Sequence, residues 1–498
     1  GETPEVDMTS EEEEQIRQSI LQGMFLIRGT LQGQLSHAVQ LMAKDNLKPW
    51  VEGFLEIMKM DCPGISSSAG EATFLDELKM EVCEIFTLYA QRFEEEINPF
   101  MQNIIQAVWQ LVVQTGNETR FDGMVCSALE FLSIICQKNH YESYFVGEGV
   151  LQTIAQDVCV KNLHLRQEDL EMFEDEPIEY MKKDIEGTDT CTRRRGAIDL
   201  VRALCRKFEE RLVPVLAQLV QSLCSDGDWI KLDVVYCLVT AIASKTETAK
   251  SGATSTSQLI NVADYYAGQV RGHLSANIDD MPILKADALK FVVTFRNQLP
   301  AEVLVEVIQA ADRLLTSRFT ILHKYAAFAV DKLLLVKEPN STAPLLTARV
   351  VPVGSLLNNL VSGFDKDPKA QNSPYLMKAV LRCVAILDTE TLPQGNLDAE
   401  LMPLIETILS QDIADLIPYA LQITDILKTL PRVGNAGSRL LGDAAFFKLV
   451  QGVENPMSVL LNNMFRRVQF SKTPKFMKHF VVFLCRFAIV RGAEHFAK

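Results

Sequence analysis

The sequence predicts an all-α protein, a HEAT-repeat α-solenoid in which antiparallel helical hairpins stack into a superhelix. Three observations carry that expectation. Apolar residues recur at the helical period of about 3.6 residues, period-2 alternation is almost absent, and one helix pattern returns along the chain. Residues 99–115 open on Pro99 and place Phe100, Met101, Ile104, Ile105, Val108, Leu111 and Val112 on one helical face. After the polar connector GNETRFDG, a second helix carries Val125, Ala128, Leu129, Leu132, Ile135 and Cys136 on one face. The pair reads as an antiparallel hairpin with a proline near its start.

The second-helix pattern, a small residue among apolar ones, returns around Ala197, Cys237, Ala288, Ala327, Ala379 and Ala420. Apart from a long first interval, the spacings scatter about the ~40–47-residue period of HEAT and armadillo repeats. First helices are expected to open on Pro214, Pro282 and Pro403. One hairpin cannot bury its apolar face alone, whereas stacked neighbours share a core. Residues 1–498 are therefore expected to form a single continuous solenoid. Three segments interrupt the rhythm: a Gly/Ser/Pro loop at 61–72, a long acidic insert at 160–195, and an irregular stretch at 428–443.

Composition narrows the function classes. The chain has 498 residues, 48% hydrophobic and 23% charged, too apolar for a disordered protein. Its 49 Lys and Arg face 64 Asp and Glu, a net charge of −15. A phosphate backbone needs a basic face, so nucleic acid is not an expected partner, and a basic protein is. The last 68 residues, 431–498, reverse the sign with eleven Lys and Arg against three Asp and Glu, and are expected to be basic C-terminal repeats. None of the eleven cysteines forms a CxxC pair, and most lie in apolar helical stretches. They read as core-packing thiols in a reducing compartment. The seven histidines are scattered, with no HExxH, so no metal site or cofactor is expected. No GxxxxGK[ST] loop and no GxSxG elbow is present, which argues against an enzyme. The acidic start GETPEVDMTSEEEEQ is unlike a presequence, and HFVVFLCRFAIV is too short for a membrane span. The N-x-T matches at Asn117 and Asn340 read as chance occurrences.

The unusual segment is 164–209. Ten acidic residues precede Arg193, Arg194 and Arg195, which arrive together as a helix begins behind a Thr190 or Thr192 cap. A plain solvated connector accounts for the charges alone. The embedded Met172, Phe173, Ile178, Tyr180 and Ile185 point instead to a docked insert, an attractor for a basic protein.

The stretch EMFEDEPIEYMKKDIEGTDTCTRRRGAIDLVRALCRKFE closely resembles the mid-chain signature of the exportin-2 family, also called the cellular apoptosis susceptibility protein family. LVTAIASKTETAKSGATS (238–255), ANIDDMPILKADALKFVVTFRNQLP (276–300), LHKYAAFAVDKLL (322–334) and FTLYAQRFEEEINPFMQNIIQAVWQLV (86–112) are similar to its repeats, as is SKTPKFMKHFVVFLCRFAIVRGA (471–493). The resemblance covers roughly residues 46–430 and then the final stretch. It implies a karyopherin of the importin-β superfamily that returns importin-α to the cytoplasm with GTP-bound Ran and meets nuclear pore proteins while shuttling between nucleus and cytoplasm. It also implies that this chain matches the middle part of such a receptor. Carried over, Glu174, Asp175, Asp184, Glu186 and Asp189 are expected to meet basic patches on Ran or importin-α. Arg193, Arg194 and Arg195 are expected to hold the insert or an acidic partner group. Cys191 stands where the family pattern has an aspartate. A HEAT scaffold outside the karyopherins explains the repeats but neither the insert nor the FRNQLP match.

Overall fold

The structure is a computed structural model that describes residues 47–61, 70–186, 192–225, 227–248, 250–257, 260–366, 374–387 and parts of 391–429. The expected basic repeats at 431–498, most of the irregular stretch and most of the 61–72 loop lie outside the described residues. Those described group into two compact units. The first holds residues up to Leu170 with Lys182–Lys245 and Ser255–Ile260; the second holds Glu171–Met181, Thr246–Thr254 and residues from Asn261 onward.

The first unit opens with α1 (Leu47–Lys59), α2 (Phe74–Arg92), α3 (Met101–Gln114) and α4 (Asp122–Ile135). Local chemistry starts these helices. Thr73 and Asp76 form a reciprocal capping box on α2, Thr73 Oγ1 accepting from Asp76 N at 3.2 Å and Asp76 Oδ2 accepting from Thr73 N at 2.9 Å. Next comes a helical segment, α5 (150–163), whose middle, Ile154–Val160, is wound as a π-turn. Next in sequence come α6 (Gln167–Asp175) and α7 (Pro177–Met181), of which Glu171–Met181 belongs to the second unit, and then a π-turn at Lys182–Glu186 in the first. The chain re-enters through α8 (Arg193–Cys224) and α9 (Trp229–Ala243).

Helices α2, α4, α8 and α9 pack side by side in one row, with α1, α3 and α5 covering them. One hydrophobic cluster runs from Leu47 to Ile242. Helix α8 serves two repeats. It breaks at Phe208, whose φ of −124° and ψ of 31° leave the helical region, so its first half closes one hairpin and its second half opens the next.

In the second unit α10 (262–275), with a π-turn at Tyr266–Val270, precedes α11 (Pro282–Thr294), α12 (Ala301–Leu314), α13 (Thr320–Leu333), α14 (Val353–Lys366), α15 (Tyr375–Ala385) and α16 (Ile417–Thr429). The rows repeat: α11, α13, α15 and α16 pack in series, while α10, α12 and α14 pair with them.

All seven expected pattern centres fall on the inner-row helices and are buried: Ala128, Ala197, Cys237, Ala288, Ala327, Ala379 and Ala420. Small residues there let neighbouring helices approach. The eight described cysteines carry free thiols, most of them buried; burial pushes those of Cys83, Cys136 and Cys205 up to about 12, as expected of packing residues.

Two expectations are corrected. Pro282 opens α11, the helix that carries Ala288, and so starts a second helix. Pro214 does not open a helix: the break falls at Phe208, and Pro214 lies six residues beyond it, inside the second half of α8. The near-absence of strand signal also missed a β-hairpin, β1 (Ser244–Thr248) with β2 (Gly252–Thr256).

Candidate partner-binding site

Helix α6 starts because Asp169 reaches back to the Arg166 backbone N–H at 3.0 Å, half of a capping box, and it stops where Pro177 restricts the residue before it. Pro177 then opens α7 at the position where its missing N–H is harmless. The turn folds Phe173 and Met181 inward, where both are buried, and brings the Phe173 and Tyr180 rings edge to face at 5.1 Å and 89°. Of the expected anchors, Phe173 is buried and Met172, Ile178, Tyr180 and Ile185 are half-buried; Met181, fully buried, was missed. Anchoring α6 and α7 through this face leaves Glu171, Glu174, Asp175, Glu176 and Glu179 exposed. Charged groups flank an apolar foot, which a floppy linker would not need.

Among the expected site residues, Glu174 and Asp175 end α6 in solvent, and Asp184 lies half-buried in the π-turn. Glu186 closes that turn, and its side chain is outside the described residues, as is the whole of Asp189.

The three arginines diverge. Thr192 caps α8, its Oγ1 accepting from Arg195 N at 3.2 Å, so the arginines occupy the first turn and point in three directions. Gly196 lets α8 lie close to α4, since a Cβ there would stand 3.1 Å from Leu129 Cδ1. Arg193 turns back to α4: Nε donates to Asp122 Oδ1 at 2.6 Å, Nη1 to Gly116 O at 2.8 Å and Nη2 to Glu118 O at 2.9 Å. Arg194 turns forward to α9 and grips Asp233 through two bonds of 2.7 and 2.8 Å, with Nη2 also 3.1 Å from Cys237 Sγ. Arg195 is exposed, 3.9 Å from Asp199. Arg193 and Arg194 thus hold internal carboxylates, and Arg195 is the one of the three that faces solvent.

Asp122 has a second cation. Arg166 donates from Nη1 and Nη2 to its two oxygens at 2.8 and 3.1 Å, from Nε to Asp169 at 3.0 Å, and from Nη1 to Asn117 O at 3.3 Å. Lys161 Nζ donates to Val113 O and Thr115 O at 2.7 and 2.8 Å, where the C-terminal end of α3 favours positive charge. Three cations therefore clamp the connector between α3 and α4. Burial lowers Arg193 despite Asp122, and burial together with the Arg193 charge lowers Lys161. Burial would raise Asp169, but the bonds and charge of Arg166 outweigh it and hold the carboxyl below its usual range. Sequence reading missed Asp122, Arg166, Lys161 and Asp233, whose partners lie 39 to 71 positions away in the bonds that matter.

In the second unit, FRNQLP has a distinct job. Arg296 Nη2 donates to Lys250 O at 2.6 Å, Asn297 Nδ2 to Ser251 O at 2.6 Å and Gln298 Nε2 to Ala253 O at 2.7 Å. Three consecutive side chains thereby satisfy the carbonyls of the hairpin tip.

Residues 5–330 match the family described as Cse1. The chain is 35% identical to Exportin-2 of Oreochromis niloticus and 34% identical to Exportin-2 of Homo sapiens, each over 70% of this chain and 37% of the relative. It therefore spans little more than a third of the length of these curated relatives. A solved structure of the exportin Cse1 in its cargo-free, cytoplasmic state superposes with a TM-score of 0.68 at 26% identity, over 89% of this chain and 46% of that one. Lph2, a bidirectional nuclear transport receptor of S. cerevisiae, shares the fold at a TM-score of 0.53 and 13% identity, over 95% of this chain and 55% of that one.

Proposed function

The chain belongs to the Cse1 family of exportins, and from that premise we propose that it is part of a nuclear export receptor that returns importin-α to the cytoplasm in a complex with GTP-bound Ran. The observation that carries this reading is the exposed carboxylate face of α6 and α7, fixed by Phe173 and Met181 within the segment that bears the family signature. Glu174, Asp175, Asp184, Glu186 and Asp189 are the proposed contacts with basic patches on Ran or importin-α. Of the arginines, Arg195 is the one proposed to meet an acidic partner group, and Arg193 and Arg194 are assigned to holding the insert.

The reading includes shuttling between nucleus and cytoplasm, contact with nuclear pore proteins, and one continuous solenoid over 1–498 with 160–195 as its insert and 431–498 as basic repeats. It assigns the chain no catalysis, cofactor, metal, nucleic acid or membrane. A repeat array bends at modest cost because each repeat meets only its neighbours. If importin-α and Ran-GTP favour the same curvature, each strengthens the other by the same factor. A coupling of ~1–3 kcal/mol corresponds to roughly 5–150-fold in affinity.

The test is capture on the immobilised chain of importin-α together with Ran locked in its GTP or GDP form. Retention of both proteins with the GTP form alone is expected. Capture indifferent to the nucleotide points to a protein-assembly scaffold instead, and no capture of either removes the export reading for this chain.

A further inference from the structure

Arg194 and Arg382 each grip an aspartate buried on a neighbouring inner-row helix, and they do so differently. Arg194 commits both terminal nitrogens to Asp233, and its side chain is 17% exposed. Arg382 of α15 reaches Asp331 of α13 through Nε alone, at 2.9 Å, and is 33% exposed. Among the described residues, Nη1 and Nη2 of Arg382 carry no hydrogen bond. We propose that this open guanidinium edge centres a binding surface on the second unit, formed by α13, α15 and α16, for an extended acidic and aromatic segment of a protein partner. The surface is separate from the carboxylate face of α6 and α7 and does not depend on the export reading.

The surroundings of Arg382 suit such a segment. Lys332 Nζ also lies 3.2 Å from Asp331, so two cations share one carboxylate that is 4% exposed, and the trio keeps a net positive charge. Lys378 Nζ stands 5.7 Å from the centre of the Tyr375 ring and 6.0 Å from that of Tyr419, and Lys332 Nζ 5.5 Å from that of Phe328. Phe328 and Tyr375 meet edge to face at 6.1 Å and 90°. Tyr375 is buried, whereas Phe328, Lys378 and Tyr419 are half-buried and present part of their surface to solvent. The exposed Asp415 acts on Tyr419, so the positive end of the surface lies on α13 and α15. Two parallel N–H donors match a carboxylate, and the rings beside them match an apolar or aromatic side chain. Helices packed side by side stand ~8–10 Å apart and an extended chain advances ~3.3 Å per residue, so a segment crossing the row meets the next helix about every third residue. A long polyanion fits less well, because α7, with its exposed Glu179, packs on α13 of the same unit.

The experiment is fluorescence anisotropy with the full chain and a labelled dodecapeptide of four Glu-Ser-Phe units, compared with the same peptide carrying Gln for Glu. Saturable binding of the Glu peptide alone is expected. Arg382→Gln should weaken it by about tenfold or more, as the loss of a charge-assisted hydrogen bond implies. Arg382→Lys keeps a positive charge beside Asp331 but lacks the fork, and should also weaken binding. Tyr419→Leu should weaken it roughly twofold or more through the lost ring. Arg195→Gln, at an exposed arginine of the first unit, should leave it unchanged. Lys378→Gln, at the ammonium over the two tyrosine rings, should weaken binding too and tests the same surface should Arg382→Gln fail to fold. Absence of binding by the native chain overturns the proposal. Binding that the Gln peptide shares, or that the Arg382 variants leave unchanged, overturns it as well. Tighter binding of a single-stranded oligothymidylate of the same length would assign the surface to nucleic acid instead.

Discussion

At the scale of single residues, three neighbouring arginines of one type have three different energetic weights. Arg194 and Asp233 form a bidentate pair in which the Asp233 side chain is 1% exposed, so both charges are largely removed from water. Truncating one partner strands the other. Asp233→Ala is expected to cost about 3–5 kcal/mol, read as a lower denaturant midpoint. Arg195, half exposed and 3.9 Å from a half-exposed Asp199, is the contrasting case. Arg195→Ala should change stability by no more than about 1 kcal/mol. If the two substitutions cost the same, the division of labour among the arginines is wrong. The run itself was visible in the sequence, and so was its helix cap. Its targets were not, because Asp122 and Asp233 sit on different helices, one before α8 and one after it, and only packing brings them within reach.

At the scale of elements, the inner-row helices were the most legible part of the chain. Ala128, Ala197, Ala288, Ala327, Ala379 and Ala420 sit where helices pass close together, and that geometry demands a small residue at a fixed phase of the helical period. A second ion pair joins neighbouring helices of a row, Arg382 Nε on α15 donating to Asp331 Oδ1 on α13 at 2.9 Å. The hairpin β1–β2 was illegible for the opposite reason. Its exposed Lys, Thr and Glu residues bury no alternating face, and its tip is held by side chains of FRNQ instead of by a sheet core. Gly252 is its fixed point. With φ at +70° it occupies the left-handed region, and a Cβ would fall 2.4 Å from Thr294 O. Gly252→Ala should therefore destabilise the second unit by about 1–3 kcal/mol and raise hydrogen exchange in the hairpin. Gly227→Ala, also at positive φ but with open space around it, provides the comparison. A smaller loss at Gly227 isolates the close approach; equal losses would assign the whole effect to backbone strain.

At the scale of the whole molecule, charge is the property that sequence alone makes plain. The net −15 is distributed unevenly, with exposed carboxylates gathered on α6 and α7. Such a face accelerates the approach of a basic protein and loses reach as salt rises, since the screening length is about 8 Å at 0.15 M. Replacing Glu174, Asp175, Asp184, Glu186 and Asp189 together by their amides should slow association with the captured partners several-fold at low salt. It should also flatten the salt dependence and, at exposed positions, leave the unfolding midpoint within the effect of about 0.5 kcal/mol per site. An unchanged salt slope would reduce the insert to a solvated connector. The sequence by itself determined the all-α repeat architecture, the rows of small residues, the buried thiols and the family, because each is written in local periodicity, composition or a contiguous motif. Tertiary structure alone decided which carboxylate each arginine holds, that Arg166 and Arg193 meet at Asp122, that α8 joins two repeats through a break at Phe208, and that FRNQ serves a hairpin. Those features depend on distances between residues far apart in the chain, and such distances exist only once the helices have packed.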